Sequence, residues 1–204
     1  MLLKFNAQLM TIDQLDLAGT YTYADYLQWT FEERLEIIKG KIFKMSPAPA
    51  RRHQDISFKI GNRLYNYLQN DSCKVYMAPF DVRLTPLKRN AKPDQVYTVV
   101  QPDISVICDL EKLDDQGCNG APDLIIEILS PGNSKKEMKD KFEVYQENGV
   151  KEYWLVNSTE KAIFVYVLNE SGIFIGLKPL IEEEVLTSSV LPGFEMPVGE
   201  IFAD

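Results

Sequence analysis

The sequence predicts an α/β (α+β) domain, a mixed central β-sheet flanked by helices. Three observations carry that expectation. From His53 to Gln69 apolar side chains recur every four residues, at Ile56, Ile60, Leu64 and Leu68, the period of one helix face. Residues 103–108 and 123–129 are nearly unbroken apolar runs behind a leading Asp, as in strands buried on both faces. The central elements then follow in the order helix, three strands, helix, strand, an alternation that lays helices against a mixed sheet.

Taken in order, residues 12–37 carry helical patterns, Thr11-Ile-Asp-Gln-Leu and then Thr22-Tyr-Ala-Asp-Tyr-Leu-Gln-Trp. Residues 35–45 overlap their end and read as a strand pair turning at Lys39-Gly40. Ser46-Pro-Ala-Pro is a break before the helix from His53 to Gln69. Lys74–Leu84 is expected as one strand, and residues 85–100 as a polar loop or hairpin tip around Pro86, Lys88, Arg89, Asn90 and Pro93. Strands at Asp103–Cys108 and Asp123–Leu129 are joined by turn residues in Asp114–Gly120. Ser130-Pro-Gly-Asn-Ser stops the second and can cap a helix to about Asn148, ended by Gly149. Strands at Glu152–Asn157, Ala162–Leu168 and Ile173–Pro179 follow, and Leu191-Pro-Gly-Phe closes the domain.

The 204 residues suit one domain with a full hydrophobic core, expected over 1–204 with its core at about 22–202. With 45% hydrophobic and 25% charged residues the composition is that of a globular chain. No apolar run approaches the ~20 residues of a membrane helix, and the N-terminus lacks the pattern of a signal peptide. Cys73, Cys108 and Cys118 show neither a CxxC pair nor zinc spacing, so reduced thiols in a cytoplasmic protein are expected. A net charge of −8 opposes a generic DNA-binding surface, whose affinity comes largely from Lys and Arg. Cations near an acidic metal site would have to be local.

Chemistry concentrates in two segments that begin alike, Gln101-Pro-Asp-Ile-Ser-Val-Ile and Ala121-Pro-Asp-Leu-Ile-Ile-Glu. Strand alternation points Asp123, Ile125, Glu127 and Leu129 one way and Leu124, Ile126 and Ile128 the other. Glu127 is thus a carboxylate inside an apolar run, which pairing or a metal would relieve. If the strands are neighbours, Asp103 and Glu127 can converge on a hard cation such as Mg²⁺. On residue chemistry alone, Asp103 could also cap a turn and Glu127 could form a structural ion pair with a lysine. Asp123 reads as structural, His53 as a surface or capping residue, and Tyr145, Tyr153 and Trp154 as core aromatics.

In that order along the chain, Leu35-Glu-Ile-Ile-Lys-Gly-Lys, Met45-Ser-Pro-Ala-Pro with His53, Gln101-Pro-Asp, Ala121-Pro-Asp-Leu-Ile-Ile-Glu-Ile-Leu-Ser-Pro, Lys141 with Tyr145, Gly149-Val-Lys-Glu-Tyr-Trp-Leu-Val and Leu191-Pro-Gly-Phe resemble the Uma-two family. That family is a branch of the PD-(D/E)XK restriction-endonuclease-like group, and the resemblance runs from about Thr22 to Phe202. It implies a restriction-endonuclease-like core, αβββαβ with extra terminal elements. Asp103 and Glu127 match the two acidic motif positions, and Glu36 resembles the upstream glutamate of the metal site. The motif lysine should stand where this chain has Leu129. The resemblance suggests its relocation to Lys141, four residues after Glu137 on one helix face.

What this implies is a Mg²⁺-dependent endonuclease hydrolysing the phosphodiester bonds of DNA, with Mn²⁺ as substitute metal. Asp103, Glu127 and Glu36 would hold the ion, Lys141 would orient water or stabilise phosphate charge, and His53 would be an auxiliary acid, base or phosphate contact. DNA is the expected partner, a homodimer is admitted, and no membrane partner is expected. Two other readings stand beside this one: a non-catalytic member of the fold that binds nucleic acid or protein, favoured by Leu129 and the acidic balance, and a structural or homo-oligomeric protein whose carboxylates form buried pairs.

Overall fold

A computed structural model describes residues 12–30, 33–45, 50–85, 91–130 and 135–203. The expected break at Ser46-Pro-Ala-Pro, the tip residues 86–90 and the capping residues 131–134 lie outside them. In chain order the elements are α1 (Tyr23–Tyr26), β1 (Leu35–Ile38), β2 (Lys41–Lys44), α2 (Arg51–Tyr67), β3 (Lys74–Met77), β4 (Val82–Leu84), β5 (Thr98–Val100), β6 (Ile104–Ile107), β7 (Leu113–Asp114), β8 (Gly117–Asn119) and β9 (Leu124–Leu129). They continue with α3 (Lys135–Glu147), β10 (Glu152–Asn157), β11 (Ala162–Leu168), β12 (Phe174–Gly176), β13 (Val185–Thr187), β14 (Glu195–Pro197) and α4 (Val198–Phe202).

The predicted class holds: mixed sheets with helices outside. The sheet is divided, however. Among the described residues one six-stranded sheet runs β2-β1-β5-β4-β8-β7 and another β12-β11-β10-β9-β6-β3, with β13 and β14 paired apart. In the second sheet β9 and β10 are parallel, while β6 is antiparallel to both β9 and β3. Alternation along β9 sorts its side chains as the sequence implies. Leu124, Ile126 and Ile128 join a core with Ile56, Ile60 and Leu64 of α2, Trp154, and Ile201 and Phe202 of α4. Ile125 faces the other core, with Val144 and Tyr145 of α3 and Ile38, Val82 and Val100 of the first sheet. The second sheet is therefore covered on one face by α2 and α4, and on the other by α3 and the first sheet.

Local expectations hold where periodicity or turn chemistry is strong. β1 and β2 form a hairpin at Lys39-Gly40, both at positive φ (51° and 78°), as a tight two-residue turn requires. α3 ends before Gly149 at φ 80°. Four expectations are corrected. Lys74–Leu84 is two strands in different sheets, because Pro79 has no N–H to continue a ladder. Residues 85–100 are not all polar loop, since the β-branched run Thr98-Val-Val forms buried β5 between β1 and β4. The 114–120 link holds the hairpin β7–β8, and the strand expected over Ile173–Pro179 is only β12.

The extra C-terminal elements that the resemblance implies are β13, β14 and α4, although the sequence did not give their bounds. Glu152 anchors this tail: its buried carboxylate accepts from Trp154 Nε1 (2.5 Å), Ser189 N (2.7 Å) and Val190 N (3.1 Å).

The expectation of three reduced thiols is also corrected. β3 and β6 pair Lys74 with Ile107. The next step outward sets Cys73 against Cys108, and the two form a disulfide. Cys118 is free and buried. Among the described residues no helix is long and apolar enough to cross a membrane.

Candidate active site

The expected adjacency of the two Pro-Asp strands is observed. Ile104 stands opposite Ile126 and Val106 opposite Leu124. One further step of that ladder brings Asp103 opposite Glu127. Asp103 Oδ2 accepts the Ile128 N–H at 2.7 Å and lies 3.2 Å from His53 Nε2. The imidazole reaches it from the first turn of α2, whose register is set by Ile56, Ile60 and Leu64 in the core.

Glu127 Oε1 accepts from Tyr145 Oη at 2.6 Å and from Lys141 Nζ at 3.0 Å. Both donors stand on α3 four residues apart, hence on one stripe facing the sheet. Lys141 Nζ is also 3.0 Å from Glu36 Oε1, and that oxygen accepts the Gln101 N–H at 2.8 Å. The ammonium thus joins a carboxylate of the first sheet to one of the second, with its side chain 8% exposed and that of Glu36 1%.

One ammonium between two carboxylates, with Asp103 nearby, fixes the electrostatics. Burial pushes the Glu127 carboxyl up to about 7; Lys141 and the Tyr145 hydrogen bond oppose this, and the charges of Asp103 and Glu36 add to it. Burial works against the charged form of Lys141, but Glu127 and Glu36 outweigh it and hold the ammonium protonated well above its ordinary range. Burial likewise disfavours charged His53; the hydrogen bond and charge of Asp103, with Glu127 and the Ile128 backbone, overcome it and raise the imidazole. Among the described residues, His53 Nδ1 is buried without a hydrogen-bond partner.

All five sequence candidates therefore gather at one end of the β6–β9 pair, in two contact groups: His53 with Asp103, and Lys141 with Glu127 and Glu36. They do not stand as a three-carboxylate cage. Among the described residues no group of three or more His, Cys, Asp or Glu is arranged to hold a metal ion, and Glu36 is turned onto Lys141 and Gln101. The donor chemistry still fits Mg²⁺, which is commonly held by one or two carboxylates with water and phosphate oxygens completing its shell. Among the described residues, the hydrogen bonds and ion pairs of these two carboxylates fall on Asp103 Oδ2 and Glu127 Oε1.

Leu129 lines a slot of about 10 Å³ with Glu127, Glu137, Met138 and Lys141. Lys139 is exposed and 3.7 Å from Glu143.

Two participants take roles that the sequence did not assign. Tyr145 is a core aromatic, but its hydroxyl holds Glu127; its place one helical turn beyond Lys141 was the available signal. Gln101 binds Glu36 through its backbone, while its side chain accepts from Arg34 (2.7 Å) and donates to Asp81 (2.8 Å). Only its position before Pro102-Asp103 hinted at this. Asp123 is structural, as expected: its Oδ2 accepts the Cys108 N–H and its Oδ1 meets Lys151 Nζ, each at 2.7 Å.

The site is thus an Asp–Glu pair on two adjacent strands of a mixed sheet, with a lysine reaching in from α3. A crystal structure described as that of "a putative nuclease belonging to DUF820" from Anabaena variabilis is similar with a TM-score of 0.70, at 19% identity, over 90% of this chain and 98% of that one. The chain belongs to the Uma2 family, whose description is "Putative restriction endonuclease" and whose model matches residues 23–199. It is 27% identical over 177 residues to the uncharacterized protein slr1290 of Synechocystis sp., covering 85% of this chain and 88% of that protein.

Proposed function

We propose that the chain, acting as one domain, is a Mg²⁺-dependent endonuclease that hydrolyses phosphodiester bonds of DNA. The observation that carries this is the placement of Asp103 opposite Glu127 with Lys141 and His53 at hydrogen-bond range. Asp103 and Glu127 would hold Mg²⁺. When bound, the ion lowers the pKa of water and neutralises charge on the phosphate.

The chain's own residues would do the rest. Lys141 holds a fixed positive charge beside Glu127, oriented by Glu36 and already desolvated, so little reorganisation is needed when phosphate charge develops. Tyr145 fixes the Glu127 carboxylate. His53, its proton retained by Asp103, supplies a second donor toward a phosphate oxygen or leaving group. Glu36 acts as partner of the lysine rather than as a metal ligand. The site would work in the cytoplasm on a DNA substrate, with or without a second copy of the chain.

Nicking of supercoiled plasmid in Mg²⁺, compared between wild type and Asp103→Asn, tests the reading. Metal-dependent nicking lost in the variant supports it; nicking by both alike rejects it. One observation favours a non-catalytic reading: Lys141 is already committed to two carboxylates. Binding of DNA without any metal-dependent cleavage would select that reading.

A further inference from the structure

At the far end of the same two strands lies a feature the proposed chemistry does not use. The Cys73–Cys108 disulfide forms part of the wall of an open cleft of about 500 Å³ that also presents Asp123, Lys151, Val190 and Leu191. Cys73 is buried, whereas Cys108 is only partly buried. β3 is an edge strand, and among the described strands only β6 pairs with it. The disulfide closes one end of that pair, beside Lys74 and Ile107. At the other end Met77 stands opposite Ile104, and Ala78 N donates to the Asp103 carbonyl at 3.0 Å. A four-residue ladder therefore separates the covalent tie from the backbone that carries the Asp103 carboxylate.

We propose that Cys73–Cys108 is a thiol-exchange site, opened by a dithiol that enters this cleft, and that its opening loosens the edge strand bracing Asp103. A thiolate of the dithiol attacks the more accessible Cys108 Sγ. The Cys73–Cys108 bond breaks, and Cys73 leaves as a thiolate and takes up a proton. The second thiolate of the reductant then attacks its own sulfur in the mixed disulfide, releasing Cys108, which is protonated in turn. The dithiol ends as a disulfide, and the two cysteines have gained two electrons and two protons. A chain working in the cytoplasm meets reducing conditions, where disulfides, when present, are usually transient or redox-sensing.

Thiol counting and hydrogen exchange test both halves without relying on nuclease activity. Air-purified protein, denatured and alkylated, should carry one adduct, on Cys118, and three after treatment of the native protein with dithiothreitol. Reduction should lower Tm by on the order of 10 °C. It should also speed amide exchange in the peptide spanning 73–84 while leaving α3 unchanged. A double Cys73→Ser, Cys108→Ser variant should match the reduced protein and ignore dithiothreitol; if it does not fold, the oxidised and reduced wild type still make the comparison. Three adducts before any reductant, one adduct until the protein is unfolded, or reduction without faster exchange in 73–84 would each overturn the proposal.

Discussion

Asp103 and Asp123 are the same motif at opposite ends of one antiparallel pair. Each follows a proline, precedes an apolar strand, and accepts a backbone N–H at the far end of the neighbouring strand at 2.7 Å: Ile128 for Asp103, Cys108 for Asp123. Their surroundings diverge. Extending the ladder sets Glu127 opposite Asp103 but Ile107 opposite Asp123. Asp103 meets a half-buried histidine, and the Glu127 opposite it ends a carboxylate–ammonium–carboxylate chain. Asp123, 3% exposed, meets Lys151, whose side chain is 66% exposed, and a disulfide. The Pro-Asp turn is thus a structural cap at both ends. Chemistry is possible where the register adds a second carboxylate and α3 adds a lysine.

The widest gap between the ends should appear in activity. Asp103→Asn or Glu127→Gln should lower Mg²⁺-dependent nicking by at least about 10²-fold, the scale of losing one preorganised charge contact. Asp123→Asn should leave the rate within about threefold, because its carboxylate only closes a strand end. Plasmid-nicking rates on folded variants make the comparison, and equal losses at both ends would erase it.

Next in size is Lys141→Met. The sequence alone suggests loss of activity with little cost in stability. The structure revises that expectation, since the change leaves Glu36 and Glu127 buried without their cation. The expected cost is about 3–5 kcal/mol in denaturant unfolding. Double replacement with Glu36→Gln should recover part of it, and a cost under about 1 kcal/mol would mean that the pairing contributes little. At the other end Lys151→Ala should cost no more than about 1 kcal/mol, its ammonium being largely solvated.

The smallest effect is in pH dependence. Glu127 is raised from 4.5 to about 7, so between those values the native chain holds a proton the unfolded chain has released. The stability it contributes is complete below pH 4.5 and is lost as pH rises through 7. His53, raised above its ordinary 6.5, has the same sign: its contribution fades as pH rises through its folded pKa. Metal-free protein should lose a few degrees of Tm between pH 5 and 8. Glu127→Gln should flatten that slope, and Asp123→Asn should not.

Much of this was legible in the sequence because it rests on short-range rules. Alternation in 123–129 fixed which side chains share a face with Glu127, and the four-residue spacing on α3 put Lys141 and Tyr145 on one stripe. What escaped depends on long-range pairing. Pro79 is a local signal for a break in Lys74–Leu84, but nothing local says which sheet each half joins, or that Cys73 falls opposite Cys108. Glu36 was legible as a participant but not as the partner of Lys141, because that contact requires the first sheet to close against α3. The anchoring role of Glu152 was hidden for the same reason: its donors Ser189 and Val190 lie more than thirty residues further on.

The central claim is that the Asp103 end, and not the Asp123 end, is built to receive a divalent cation. Calorimetric titration of Mn²⁺ into wild type, Asp103→Asn and Asp123→Asn tests it most directly. One ion should bind wild type and Asp123→Asn with similar affinity, and binding should weaken by at least about tenfold in Asp103→Asn. Equal binding by all three, or weakening only in Asp123→Asn, would contradict it.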